Sequence, residues 1–125
     1  MHSLIFQKKF IAQHFLFGKD FGPENKVHSH HYTFELEIEN ALLDSYNFLI
    51  DIVDVQSHID HIIHLFQDKI LNEIPEFLNQ NPSLEFFSKV LWKKFKEHLP
   101  CPENSLLTIR LWEDNIAQAT YREVP

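Results

Sequence analysis

The first forty residues alternate between apolar and polar side chains. Residues 2–16 read as a long, partly alternating strand, and residues 28–39 repeat the pattern with Tyr32, Phe34, Leu36 and Ile38 set between Thr33, Glu35 and Glu37. A period of two marks a strand with one buried face. Residues 17–27 hold both glycines and one proline and read as a loop. Residues 40–47 read as a turn, and Phe48-Leu49-Ile50 is a short apolar stretch ending at Asp51. The period then changes. Ile52, Val55, Ile59, Ile62, Ile63, Phe66 and Ile70 recur at helical spacing and predict a helix over 52–71. Pro75 and the run Asn79-Gln80-Asn81-Pro82 interrupt the chain. A second helix is predicted from about Ser83 to His98, with Leu84, Phe87, Val90, Leu91 and Phe95 as its apolar stripe and Ser83 or Asn81 as its cap. Leu106–Glu113 and residues 117–122 read as two further strands around a turn at Asp114-Asn115.

The element order is therefore β-β-α-α-β-β. Hairpins flanking two consecutive helices predict an α+β fold, a four-stranded antiparallel sheet with both helices on one face. Such a thin layer leaves sheet edges open, and open edges invite closure by neighbouring subunits. At 125 residues, one domain spanning 1–125 is expected.

Composition narrows the function. Hydrophobic residues make up 44%, with twelve Phe, which suffices for a real core. The net charge of −7 argues against nucleic acid as a partner, because phosphate backbones need a basic face. A small phosphorylated substrate needs only a local cluster, for which Lys8, Lys9, Lys19 and Lys26 are candidates. Cys101 is the single cysteine, so no intrachain disulfide forms, and a reducing, cytoplasmic setting is expected. No apolar run approaches the roughly 18 residues that span a bilayer, and the N-terminus lacks a signal-peptide pattern. No membrane partner is expected.

Among nine histidines, three stand out. His28 and His30 are two apart in a strand-like run, so both rings leave the same face. His14 lies in the preceding strand. If the two strands are neighbours, three neutral imidazoles converge. Three protein ligands with an open fourth position suit a catalytic zinc rather than a structural one. An H-x-H pair also arises by chance, so the third histidine and the surrounding pattern carry the reading. His28-x-His30 followed by Glu35 fits the first metal motif of a cupin as well, but a cupin is nearly all β and rich in turns, unlike a chain with two glycines and two central helices.

The chain resembles the 6-pyruvoyl-tetrahydropterin synthase family, including its bacterial branch, 6-carboxy-tetrahydropterin synthase. Phe10-Ile11-Ala12-Gln13-His14 matches an F-x-A-x-H strand, and His28-Ser29-His30-His31-Tyr32 matches H-G-H-x-Y apart from Ser29. Leu49-Ile50-Asp51, Leu71-Asn72, Pro82-Ser83-Leu84-Glu85 and Leu111-Trp112-Glu113 follow in the family's order. The resemblance implies that His14, His28 and His30 bind Zn2+ and that Glu113 anchors a pterin ring. A carboxylate suits that task, since it accepts two parallel N–H bonds from the ring edge. The resemblance also implies the tunnelling fold, whose sheets join into a barrel, commonly as a dimer of trimers with sites between subunits. The substrate it implies is dihydroneopterin triphosphate or a close relative.

The acid–base residues depart from the family. Its cysteine, four residues before the first histidine of H-G-H, is replaced by Glu24, and its Asp-His pair before Leu-Asn is replaced by Gln67-Asp68. One branch of the family uses a glutamate near the cysteine position and cleaves the side chain to a hydroxymethyl-pterin. That glutamate falls one residue nearer the histidines, at Asn25 here, so Glu24 is the candidate base and a solvated loop glutamate is the alternative. His61, His64 and Asp68 recur at three and four residues and would share a helix face. His64 and Asp68 are thus candidates for a rebuilt dyad, against the reading that they are a solvent face. His31 is expected on the other side of the sheet, and Cys101 is expected to be an incidental thiol. The expectation is a zinc-dependent pterin enzyme that works by elimination or cleavage, with an inactive zinc- and pterin-binding paralogue as the alternative.

Overall fold

Two long strands form where the sequence alternates. β1 (His2–His14) and β2 (His28–Asn40) pair antiparallel, with His2 opposite Asn40 and His14 opposite His28. β3 (Leu106–Glu113) adds to β2 and β4 (Ala117–Tyr121) to β3, so the sheet order is β1-β2-β3-β4 and every pair is antiparallel. This computed structural model describes residues 1–124.

The chain leaves the sheet after β2 to build both helices and returns as β3. α1 (Ile52–His64) starts at Asp51, whose carboxylate accepts N–H bonds from Val53 and Asp54, and buries Val55, Ile59, Ile62 and Ile63. The Asp that ends the apolar stretch is thus an N-cap. α2 (Leu84–His98) is capped by Ser83, which accepts from the Phe86 N–H at 3.1 Å, and it buries Phe87, Val90, Leu91, Trp92 and Phe95. These stripes pack on Phe6, Phe10, Tyr32, Phe34, Leu36, Ile38, Leu107, Ile109 and Leu111 in one continuous core. Trp92 satisfies its indole N–H on the carbonyl of Leu107 at 2.9 Å. The α+β architecture is the one the pattern predicts. No helix among the described residues is long and apolar enough to cross a membrane.

Two boundaries differ by two residues or more. The helical period runs to Ile70, but α1 stops at His64. Leu65 and Phe66 bond back three residues, to Ile62 and Ile63, and Asp68 takes a left-handed φ of 60°. The chain then crosses to β1, where the Asp68 N–H donates to Ile11 at 2.7 Å and the Gln13 N–H donates to Lys69 at 2.9 Å. Phe66 stays fully buried. The apolar period therefore outlives the helix: the tightened turn carries Phe66 into the core, and Ile70, half-buried, reaches its place in extended backbone bridged to Gln13. β1 also ends two residues early, since beyond His14 its extended backbone pairs with side chains instead of a strand.

The sheet face away from the helices carries charge. Arg110 Nη2 lies 2.8 Å from Glu37 and its Nη1 3.4 Å from Glu35. The Ser3 hydroxyl donates to Glu37 at 2.6 Å, and Gln7 donates to Glu35 at 3.1 Å. The Ser3 hydroxyl, then Arg110, hold the Glu37 carboxyl below its ordinary range against the opposing effect of burial. A depressed carboxyl stabilises the fold above the unfolded-state value of about 4.3 and loses that contribution as pH falls through the folded value. Urea midpoints measured from pH 7 downward are expected to fall below about pH 4.3. Glu37→Gln is expected to flatten that dependence, and an unchanged profile would remove Glu37 from the account.

Candidate metal centre and its surroundings

The register of β1 on β2 makes the site. His14 faces His28 across the ladder, and His30, two residues on, faces Ala12, whose small side chain leaves room beside it. All three rings leave the helix side of the sheet. Their centroids stand 4.6 Å (His14–His28), 4.8 Å (His14–His30) and 4.7 Å (His28–His30) apart. One nitrogen from each ring falls in a group whose members lie within 4.8 Å of one another.

Each ring is held from behind. Nδ1 of His14 donates to the Pro82 carbonyl at 3.1 Å, and Nδ1 of His28 donates to the Lys26 carbonyl at 2.7 Å. Nδ1 of His30 meets the Asp114 carboxylate. A carbonyl or carboxylate can only accept, so the proton of each ring sits on Nδ1 and the lone pair on Nε2. Those three Nε2 atoms are buried and have no hydrogen-bond partner. Buried acceptors are rarely left unpaired. Three that converge, each fixed in the ligating tautomer by an outer partner, fit zinc. Burial, then the neighbouring rings His30 and His28, push His14 down to about 4, so it is neutral at physiological pH.

The segment between the helices sets the approach. The Asn72 amide pairs with the backbone of Phe15, accepting its N–H and donating to its carbonyl, both at 2.9 Å, and Asn81 does the same for Phe17. Two side-chain amides thus imitate a neighbouring strand. The open choice of cap is settled: Ser83 caps α2, and Asn81 clamps Phe17. On the other flank, Asn25 donates to the carbonyls of Leu16 and Lys19, each at 3.0 Å.

Glu113 ends β3 opposite Tyr32, and its carboxylate lies 3.8 Å from His30 Nε2. Burial raises its carboxyl, and His30 counteracts this. Tyr32 is fully buried and stays protonated, its hydroxyl pushed up by burial. Glu24 is exposed, in a short 3₁₀ turn (Gly22–Asn25) fixed by the Leu16 N–H donating to its carbonyl at 2.8 Å. Its charge acts on both His14 and Glu113.

The other sequence candidates lie elsewhere. His64 is the exposed last residue of α1, and Asp68 lies beyond the helix end, so the two do not share a helix face. Asp68 borders a hollow with Lys9, Ile11, His31 and Thr33 on the sheet face away from the helices. His31 is on that face, as alternation predicts. Neither His64 nor Asp68 joins the histidine cluster. Nor do the lysines gather: Lys8 pairs with Asp60 at 3.0 Å, and only Lys19 and Lys26 belong to the loop at the site. Cys101 is half-buried, and burial raises its thiol. Sequence reasoning missed Asp114. Its signal was slight: a ligating histidine turns its second nitrogen to a carboxylate, a carbonyl or water, and Asp114 directly follows Glu113.

Comparison with known proteins decides the kinship. The family model described as 6-pyruvoyl tetrahydropterin synthase matches residues 3–124. The chain belongs to that family. Among solved structures, the 6-pyruvoyl tetrahydropterin synthase of Caenorhabditis elegans superposes with a TM-score of 0.87 at 16% identity, covering 98% of this chain and 96% of that one. The Plasmodium vivax enzyme gives 0.81 at 13% identity, covering 99% and 98%. A variant of the latter, described as a catalytic-residue mutant with glutamate replaced by alanine, gives 0.78 at 13% identity, covering 99% and 98%. At such identities the superpositions speak for the fold alone. No curated protein matches the sequence.

Proposed function

We propose that this member of the 6-pyruvoyl tetrahydropterin synthase family is a zinc-dependent enzyme acting on the side chain of dihydroneopterin triphosphate or a close relative. The observation that carries the reading is the set of three unpartnered Nε2 atoms facing one another, each ring fixed by an acceptor at Nδ1. Zinc held there supplies Lewis acidity to the hydroxyl and carbonyl oxygens of the substrate side chain. Glu113 accepts two N–H bonds from the pterin edge and so fixes the ring's angle to the histidines. Glu24 takes and returns the side-chain proton. A catalytic glutamate in the Plasmodium vivax relative supports giving that task to a carboxylate. Elimination of triphosphate and cleavage to a hydroxymethyl-pterin share this early proton removal.

His64 and Asp68, exposed and away from the histidines, would serve only where a second copy brings them to a site. The edge of β4, and that of β1 ahead of Ile11 where the 68–70 segment begins to pair with it, support such an assembly, with copies joined sheet to sheet, as a hexamer by the family's habit.

Zinc-loaded protein incubated with dihydroneopterin triphosphate, with products identified by mass, tests the reading. A shortened or dephosphorylated pterin is expected. A zinc-bound protein that turns over no pterin would instead be the inactive paralogue. Two substitutions divide the roles. Glu113→Ala is expected to weaken pterin binding by 1.5–3 kcal/mol, about ten- to a hundredfold, while zinc stays bound. Glu24→Gln is expected to lower kcat by about 10²–10⁴. Full turnover in Glu24→Gln would remove it as the base.

A further inference from the structure

We infer that Asp114 is a positioning residue for the metal centre: it holds the His30 proton on Nδ1 and makes His30 the most electron-rich of the three ligands. The inference rests on the zinc reading above. The three rings are not held alike. His14 and His28 lean on neutral backbone carbonyls, whereas His30 alone meets a carboxylate. A negatively charged acceptor on the far nitrogen raises the basicity of the ligating one.

Asp114 is itself clamped. Its Oδ1 accepts the His31 N–H at 2.9 Å, and its own N–H donates to the His31 carbonyl at 2.7 Å, leaving Oδ2 to face the His30 ring. The strand residue beside the ligand thus fixes the carboxylate that orients the ligand. The turn alone does not require this. Asp114 and Asn115 are both left-handed, with φ of 51° and 58°, a conformation that Asp and Asn tolerate. Among the described residues, Asn115 makes no side-chain hydrogen bond, while Asp114 uses both oxygens. Asn115 answers the backbone's demand only; Asp114 answers the backbone and the metal site.

The test compares Asp114→Asn, Asp114→Ala and Asn115→Ala with wild type. Zinc affinity is read by competition with a chromophoric chelator. Imidazole tautomers are read from 15N spectra of the metal-free proteins, and folding from thermal unfolding. Asp114→Asn keeps the turn preference and an acceptor oxygen but loses the charge, and is expected to weaken zinc about tenfold. Asp114→Ala loses both, and is expected to weaken zinc toward about a hundredfold and to mix the His30 tautomers. Asn115→Ala is expected to lower stability and leave zinc affinity unchanged. If Asp114→Ala fails to fold, Asp114→Asn decides. Wild-type zinc affinity and tautomer in both Asp114 variants, with only stability reduced, would make Asp114 a turn residue and overturn the inference while the zinc reading stands. Wild-type protein that takes up no zinc would overturn both.

Discussion

His28→Ala is expected to leave the protein folded and nearly free of zinc. Two imidazoles on adjacent strands cannot complete a three-ligand face. The loss is expected to exceed the roughly 10–100-fold that follows removal of an outer-shell partner. The expected effect on the metal-free fold has the opposite sign from an ordinary core truncation. His28 packs against the other two rings, but its Nε2 is buried without a partner. An unpaired buried polar atom disfavours the fold by about 1–3 kcal/mol. Removing one of three such atoms therefore offsets most of the packing it takes away. Metal-free His28→Ala is expected to unfold within about 1 kcal/mol of metal-free wild type. Added zinc should raise the melting temperature of wild type and leave that of the variant in place, because only a ligand that binds the native state shifts unfolding. Metal content, chelator competition and melting with and without zinc check each part. One zinc per chain held by His28→Ala at wild-type affinity would remove His28 from the ligand set and with it the argument from register.

That register shows how far the sequence could be read. Alternation through His28-Ser29-His30 fixed which face the two rings take, and the length of the first strand made His14 available to them. Both follow from the strand's period of two and survive in the structure. The partner of each ring did not follow. Pro82 reaches His14 only because the segment between the helices folds back along β1, held by Asn72 on Phe15 and Asn81 on Phe17. Those are contacts between residues 57 and 64 positions apart, which no local pattern encodes. Leu71-Asn72 was recognisable as a motif, but its physical task, lending an amide as an artificial strand partner, was not.

Asp68 shows the complementary failure. The helical period ran through it and placed it on a common face with His64. The period was carried by Phe66 and Ile70, but Ile70 lies in extended backbone beyond the left-handed Asp68, so a polar residue inside such a run inherits a helical position it does not have. Asp114 failed for another reason. Asp-Asn after a strand is an adequate turn on its own terms, and a residue with one sufficient explanation hides a second.

Phe87→Ala is expected to destabilise the fold by about 3–5 kcal/mol, the range for emptying a fully buried aromatic site. Phe87 has no solvent exposure, and its ring lies 5.3 Å from Tyr32, 5.4 Å from Phe66, 5.5 Å from Phe77 and 6.0 Å from Phe10. Those four come from β2, the turn after α1, the 3₁₀ turn at Pro75–Phe77 and β1. One side chain on α2 therefore joins both strands that carry the three histidines to the segment between the helices. Tyr32 is the link to function, since its ring lies 6.1 Å from that of His30. A void under Tyr32 loosens the strand position from which His30 projects, so zinc affinity should fall together with stability. Against a typical total of about 5–15 kcal/mol, the loss is large enough to lower the urea midpoint strongly with little change in slope. Phe87→Leu, which refills much of the volume, is expected to lose only about 1–2 kcal/mol and to keep zinc affinity near wild type. A loss under about 1 kcal/mol for Phe87→Ala would mean that the four rings close over the gap, and that the aromatic cluster does not hold the strands in register.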